Sequence, residues 1–258
     1  MSLLSIVVPV RDEAACLAAF WERLRAVLRP LSFDFEVIFV DDASRDQTWN
    51  RITRLHGEEP RVKGIRLAQH RGQQAALFLG LQSASGDGVI TLDGDLQHPP
   101  ERIPDFIRAW QEGAELVYGF KTIQRGRGFF QTLIHRAFNR ILALRSGLSF
   151  HPETSNFQLL DKTLVSQVVE SWNPSLFLRG WIHRKAQQKQ AIPFEARQRF
   201  QGKTKYSTFT LCKLGLRYLW FFPAVSRTGL AGRKNSVPDF LSGISESIGF
   251  QPKNLGVP

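Results

Sequence analysis

Short apolar runs at residues 4–10, 35–40, 62–67, 88–92 and 116–118 alternate along the chain with segments of helical periodicity, and this alternation constrains the fold more than any other feature. Between the first two runs, Leu17, Phe20, Trp21, Leu24, Val27 and Leu28 recur at helical spacing and define one buried face. Strands alternating with amphipathic helices build βαβ units around a mostly parallel sheet. In such sheets ligands bind beyond the carboxyl ends of the strands. The polar motifs of this chain follow its apolar runs, so one edge of the sheet should carry them.

The most informative motif is Val89-Ile90-Thr91-Leu92-Asp93-Gly94-Asp95-Leu96-Gln97-His98-Pro99-Pro100. Residues two apart on an extended chain project to the same side, so Asp93 and Asp95 can share one cation and Gln97 can add a neutral oxygen. Mg2+ or Mn2+ prefers oxygen ligands and is commonly held by one or two carboxylates plus substrate phosphates. The competing reading is a polar turn after a strand, because Asp and Gly are ordinary turn residues. A bare Asp-x-Asp would support the turn; the surrounding motifs support the site. No Gly-x-Gly-x-x-Gly is present, which disfavours a dinucleotide-binding oxidoreductase.

In order along the chain those motifs are Val7-Val8-Pro9-Val10 with Glu13, then Val40-Asp41-Asp42-Ala43-Ser44-Arg45-Asp46-Gln47-Thr48, Gly86-Asp87, and the block from Asp93 to Glu101. A later stretch is Arg199-Phe200-Gln201-Gly202-Lys203-Thr204-Lys205-Tyr206-Ser207. Together they resemble the inverting glycosyltransferases of family 2, specifically the polyprenyl-phosphate sugar transferases, over about residues 3–225. The resemblance implies a GT-A (Rossmann-like) α/β fold whose N-terminal half holds a nucleotide-diphosphate sugar. Pro9, Val10 and Glu13 would border the base and ribose. Asp41 and Asp42 would offer acceptors to uracil or guanine and to ribose, since an ionised carboxylate only accepts. Asp93, Asp95 and Gln97 would hold Mg2+ or Mn2+ against the two phosphates, with Asp95 the central acid and Asp93 also touching the nucleotide. Asp95, Asp93 and Arg199 form the implied catalytic set. Asp46 reads as a helix cap. Arg11-Asp12 departs from the family pattern of an aromatic residue followed by Asn, so the first loop should make different contacts.

The implied acceptor is a polyprenyl phosphate. A phosphate monoester has a second pKa of about 6 and is already anionic near neutral pH, so no general base is required. Cations are required instead. Lys121, Arg125, Arg127, Arg136, Arg199 and Lys205 are the candidates, and Arg suits bidentate phosphate contacts. Arg199 and Lys205 sit in a matched motif, and Lys121 stands where the family often has Arg. His70, His98, His135, His151 and His183 lack paired metal spacing and read as structural or surface groups. Ser155-Asn156-Phe157-Gln158-Leu159-Leu160 resembles a family strand that packs near the sugar.

A net charge of +11 and an isoelectric point of about 10.2 favour an anionic partner. No zinc-finger spacing or RNA-binding aromatic signature accompanies the Lys and Arg residues, so nucleic acid is not expected. With 258 residues, 43% of them hydrophobic, the chain can bury one sizeable core. That places the catalytic domain at residues 1–210, including a helix pattern at about 129–145, an amphipathic segment at 211–231 and a polar tail at 232–258. The 129–145 pattern sets Phe129, Phe130, Leu133 and Ile134 against Arg136 and Arg140, and the second segment sets Trp220, Phe221 and Phe222 among Lys and Arg. Both suit interfacial helices on an anionic membrane surface, and their apolar faces could equally pack into a core or a homo-oligomer. No window reaches about 18 consecutive apolar residues, so no spanning helix is expected. The strand pattern begins without a signal-peptide layout, which places the catalytic part on the cytoplasmic face of the membrane, bound peripherally. Cys16 and Cys212 have neither metal nor disulfide spacing. The expected reaction moves one sugar from a UDP- or GDP-sugar to a polyprenyl phosphate with inversion. The alternatives are transfer to a glycan or other hydroxyl, which needs a carboxylate base near Asp93, and a non-catalytic sugar-nucleotide-binding scaffold.

Overall fold

The structure is a computed structural model that describes residues 2–122, 154–173, 177–195 and 243–250. The segments at 129–145 and 211–231, and with them Arg125, Arg127, Arg136, Arg199 and Lys205, lie outside the described residues.

The first four apolar runs become β1 (Leu3–Val10), β2 (Asp34–Asp41), β3 (Val62–Leu67) and β4 (Gly88–Thr91). The helices between them are α1 (Ala14–Leu28), α2 (Thr48–Glu58) and α3 (Gln73–Ser83). A 3-10 turn at Pro100–Arg102 leads into α4 (Ile103–Gln111), followed by β5 (Leu116–Lys121), β6 (Thr154–Asp161), α5 (Lys162–Ser171), α6 (Leu178–Lys185) and β7 (Lys189–Phe194). The last described element is β8 (Ile244–Ile248). The strands form one sheet in the order β7-β5-β6-β4-β1-β2-β3-β8. β1 pairs in parallel with β2 and with β4, and β2 in parallel with β3. β6 runs antiparallel between β4 and β5, β7 lies parallel to β5, and β8 closes the far edge antiparallel to β3. The chain leaves β1 towards β2 on one side and later reaches β4 on the other, so the crevice between β1 and β4 is a topological switch point.

β1 and β2 are buried almost throughout, as strands covered on both faces must be. Ile6, Val8, Val37 and Phe39 face a layer built from α1 and α4, with Phe20, Trp21, Leu24 and Phe106 as its bulk. Val7, Val89 and Leu160 face the opposite layer with Leu77, Phe78, Leu164 and Val168. Between its polar ends, helix α3 is apolar and buried on every side from Ala75 to Leu81 because it lies inside this second layer. Its Gly80 lets the helix settle directly on β1, since a Cβ there would fall 2.2 Å from Val7 Cγ1. That close seating fixes where the start of α3 meets the sheet.

At the amino edge of the sheet the buried Glu36 accepts from the Ser5 hydroxyl, from Ser85 N–H at 2.7 Å and from Lys63 Nζ at 2.6 Å, tying β1, β2, β3 and the approach to β4 together. Two elements differ from the sequence expectation. β5 continues to Lys121 instead of stopping at Tyr118, because β7 pairs with it over that whole length. The segment read as a polar tail supplies β8, whose exposed Ser and Glu residues give no apolar alternation.

The seating of α3 yields a test. Helix propensity alone would favour Ala over Gly by about 1 kcal/mol, whereas overpacking costs about 1–3 kcal/mol. At 2.2 Å from Val7 the steric cost should win, so Gly80→Ala is expected to lower the unfolding free energy by about 1–2 kcal/mol in urea denaturation. A gain in stability would mean that α3 can lift from β1.

Candidate active site

The loops leaving β1, β2, β3 and β4 each contain one residue in the left-handed region: Asp12 (φ 51°), Ala43 (φ 55°), Gly72 (φ 93°) and Leu96 (φ 65°). For a residue with a Cβ this conformation costs roughly 1–2 kcal/mol and persists only where the surroundings enforce it. Here polar ties enforce it. Asp12 N–H donates to Ser44 Oγ at 2.9 Å, and Asp12 Oδ1 accepts from Arg45 N–H at 2.8 Å. Glu13 N–H donates to Thr48 Oγ1 at 2.9 Å, and Ala14 N–H to Asp46 Oδ2 at 3.1 Å. Asp46 Oδ1 also accepts from Thr48 N–H at 2.9 Å, so it braces the first turn of α2 from the position before the N-cap, which is Gln47 and not Asp46 as expected. The loops after β1 and β2 are thus one cross-tied unit, and the unusual Asp12 is one of its ties.

Pro9 and Val10 end β1 opposite Val40 and Asp41. Asp41 is fully buried. Its Oδ1 accepts from Ser44 N–H at 2.9 Å and from the Ser44 hydroxyl. Its Oδ2 has no hydrogen-bond partner among the described residues and lies 3.4 Å from Arg66 Nε. Burial pushes the Asp41 carboxyl above its ordinary value, with Ser44 and Arg66 working against that rise. A buried acceptor without a donor is costly and needs an explanation, and a ligand N–H or O–H would supply one. Asp42 is different. Its Oδ1 accepts from Arg71 N–H at 2.7 Å, and its Oδ2 from Gly72 N–H at 2.9 Å and His70 Nδ1 at 2.6 Å. Both oxygens therefore hold the loop between β3 and α3. Glu13 Oε2 accepts from Cys16 Sγ at 3.0 Å, and burial together with Glu13 pushes the Cys16 thiol up to about 12, so it stays protonated.

Beyond β4, Asp93 Oδ1 accepts from Gln73 Nε2 at 2.6 Å, at the start of α3, and from Asn156 Nδ2 at 3.3 Å, on β6. Asp93 N–H donates to His98 Nδ1 at 3.0 Å, which requires that nitrogen to carry no proton. Burial likewise holds His98 below its ordinary value, so the 3.7 Å approach of its Nδ1 to Asp93 Oδ2 is not an ion pair. The ring is clamped between Phe157, stacked at 5.7 Å, and Phe194, edge-on at 5.6 Å, and Phe157 in turn stacks on Phe106 at 4.2 Å. Asp95 is nearly buried and its Oδ1 accepts from Gln97 N–H at 3.1 Å, a tight Asx turn around Leu96. Gln97 Oε1 accepts from Lys121 Nζ at 3.1 Å. Asp93, Asp95, Lys121 and Arg179 are all close enough to act electrostatically on His98.

Among the described residues no group of three or more His, Cys, Asp and Glu side chains could hold a metal. The chain would therefore contribute Asp93 and Asp95, a hard-oxygen pair that fits Mg2+ or Mn2+ shared with ligand phosphates. Gln97, whose Oε1 accepts from Lys121 Nζ, would add the neutral oxygen. Of the cations expected to gather the acceptor phosphate, Lys121 is the one among the described residues, and it stands beside the Asp motif. Gln73, Asn156 and Arg179 were not singled out for the site from sequence, although Asn156 lay in a stretch recognised as neighbouring it. No spacing marks them, because each reaches the site through the tertiary fold.

A doubly wound, mostly parallel sheet with a buried carboxylate and an acidic pair at the carboxyl ends of its strands is a fold of the GT-A type. The sequence profile of glycosyl transferase family 2 matches residues 5–212, and the chain belongs to that family. It is a glycosyltransferase. The chain is 30% identical over 212 residues to an uncharacterized glycosyltransferase of Bacillus subtilis, YkcC, covering 82% of this chain and 66% of that one. It is 28% identical over 219 residues to the bactoprenol glucosyl transferase of Shigella phage SfV, covering 85% and 71%. The fold is similar to glucosyl-3-phosphoglycerate synthase of Mycobacterium tuberculosis, solved with Mn2+, UDP and phosphoglyceric acid, with a TM-score of 0.65, 20% identity and coverage of 90% and 80%. No helix among the described residues is long and apolar enough to cross a membrane.

Two buried histidines give the fold a pH dependence. His183 lies edge-on to Tyr118 at 4.7 Å with Gln158 Nε2 at 3.3 Å, and burial, then Lys189 and Arg179, hold it down to about 3. His98 is lowered from 6.5 by the same cause, burial. Below their ordinary value of 6.5 the unfolded chain takes up protons that the folded protein refuses, so stability present above that pH is lost as the pH falls. Between pH 7 and about 5.5 the loss from His183 should be about 1 kcal/mol, and His98 should add to it in the same direction. Urea denaturation at the two pH values reads it, and His183→Gln should remove about 1 kcal/mol of the drop. Equal stability at both would mean that the histidines take up protons in the fold just as they do in the unfolded chain.

Proposed function

We propose that the protein transfers one sugar, with inversion, from a UDP- or GDP-sugar to a polyprenyl phosphate, working peripherally at the cytoplasmic face of a membrane. The observation that carries this reading is the convergence at one switch point of Asp41, with an unsatisfied buried oxygen, the Asp93 and Asp95 pair, and the Lys121 ammonium. The bactoprenol glucosyl transferase relatives support the lipid acceptor.

In this reading Asp41 receives a donor group of the nucleobase, with Pro9, Val10 and Glu13 forming the wall beside base and ribose. Asp42 acts at one remove by holding the loop that leads to Gln73. Gln73 and Asn156 orient the Asp93 carboxylate, and the Asx turn orients Asp95. A divalent cation on the two carboxylates would neutralise charge on the leaving nucleoside diphosphate. Lys121 draws in the acceptor phosphate, whose own charge makes it the nucleophile, so no side chain need remove a proton. His98, neutral and with Nδ1 accepting from Asp93 N–H, shapes the motif and is not a base.

The test is a radiolabelled transfer assay with polyprenyl phosphate in detergent, a panel of UDP- and GDP-sugars, and Mg2+ or Mn2+ with a chelator control. Chelator-sensitive label in the organic phase is the expected result. Label confined to the aqueous phase would replace the lipid phosphate by a hydroxyl acceptor. Asp95→Asn should lose at least about a hundredfold in kcat, since electrostatic stabilisation by a bound cation is worth several kcal/mol. Wild-type turnover in that variant would remove Asp95 from the metal site. Lys121→Ala should raise the KM for polyprenyl phosphate while leaving UDP- or GDP-sugar binding within about twofold, as loss of one charge-assisted phosphate contact would. An effect on donor binding alone would move Lys121 to the diphosphate.

A further inference from the structure

Strand β8 arrives from far along the chain, and its contacts lead directly to the donor side of the site. It pairs with β3 so that Glu246 stands opposite Arg66, and the register shifts between Arg66 and Leu67. Ala68 N–H donates to Gly243 O at 2.7 Å, and Ser245 Oγ donates to Arg66 O at 3.2 Å. Ile248 packs on the core layer that contains Trp49, and Ile244 on the one that contains Ile65. The backbone position of Glu246 is therefore set by pairing and packing together.

Its side chain joins two groups of the β2 region. Glu246 Oε2 accepts from Trp49 Nε1 at 2.6 Å, and Oε1 lies 2.9 Å from Arg66 Nη1. Arg66 directs its remaining groups inward, with Nε 3.4 Å from Asp41 Oδ2 and Nη2 3.4 Å from Ser44 O. A guanidinium is planar, so fixing one Nη fixes the direction of Nε. Arg66 is also partly exposed, with a side chain 30% accessible, and without a carboxylate at its outer end it could turn towards water.

We propose that Glu246 is a positioning residue for the donor nucleotide: by holding Arg66 against Asp41 it keeps the buried carboxylate charged and aimed at the nucleobase, so the docking of β8 sets donor affinity. This rests on Asp41 as a nucleobase acceptor. Glu246 lies outside residues 5–212, the part matched by the family profile.

The experiment is calorimetric titration of the full chain with UDP and with GDP in Mg2+, for wild type, Glu246→Gln, Glu246→Ala and Asp41→Asn, together with donor KM and kcat. Gln at 246 keeps an acceptor for Trp49 and removes the charge facing Arg66. Both 246 variants should weaken binding of the preferred nucleotide about two- to fivefold, the range of a partly exposed ion pair, with donor KM raised and kcat retained. If Asp41→Asn weakens binding while Glu246→Gln does not, the proposal is overturned and β8 is a structural strap, whatever its effect on thermal stability. If Asp41→Asn binds as wild type, the nucleobase reading itself fails.

Discussion

The parallel pairing of β1 with both β2 and β4 is the constraint from which the rest of the molecule follows. It sets Val10 beside Asp41 and Val7 beside Thr91, so that three loops leave the sheet at neighbouring points. Loops brought this close cannot all relax into common turns. The left-handed Asp12, Ala43 and Leu96 are the conformational cost, and the ties among Asp12, Ser44, Asp46 and Thr48 are what offset it. The result is a polar rim held by hydrogen bonds between side chains and backbone rather than by packing.

The two ends of the sheet contrast in their polar accounting. At the amino edge Glu36 is buried with donors from Ser5, Lys63 and Ser85, a closed network with a structural role. At the carboxyl edge Asp41 Oδ2 is buried with only an oblique cation beside it. Folding tolerates such an oxygen where another molecule completes its hydrogen bonding. The asymmetry also explains how a strongly basic chain presents an acidic centre. Carboxylates converge on the switch point, while Arg66, Lys121 and Arg179 stand around them as compensating charge.

Much of this was legible from residue order, and the parts that were not have a common cause. The strand pattern located β3 to the residue and β1, β2 and β4 within one; β1 and β2 read as nearly unbroken apolar runs because both faces are covered, whereas Lys63 and Arg66 interrupt β3. The Asp motif stood out because its spacing suits a shared hard cation. Asp41 and Asp42 looked equivalent in sequence, yet neighbours on an extended chain face opposite ways, and one meets Arg66 while the other meets the loop at His70 to Gly72. The contact between Gln97 and Lys121 was not legible while the end of β5 was placed at Tyr118; three more residues of strand bring Lys121 onto the Gln97 oxygen. Gln73, Asn156 and Glu246 act across separations of 20, 63 and 180 residues, which no local pattern encodes.

The aromatic column of Phe106, Phe157, His98 and Phe194 joins α4, β6 and β7 to the backbone of Asp93. Its rings fill the core and its one imidazole grips the backbone of the loop after β4, so the same atoms serve cohesion and the shape of that loop. Natural variation at Phe106 or Phe194 would consequently not be silent for the reaction. Sequence drift in this part of the core should proceed by paired substitutions, each ring change answered by another that restores the tilt of His98.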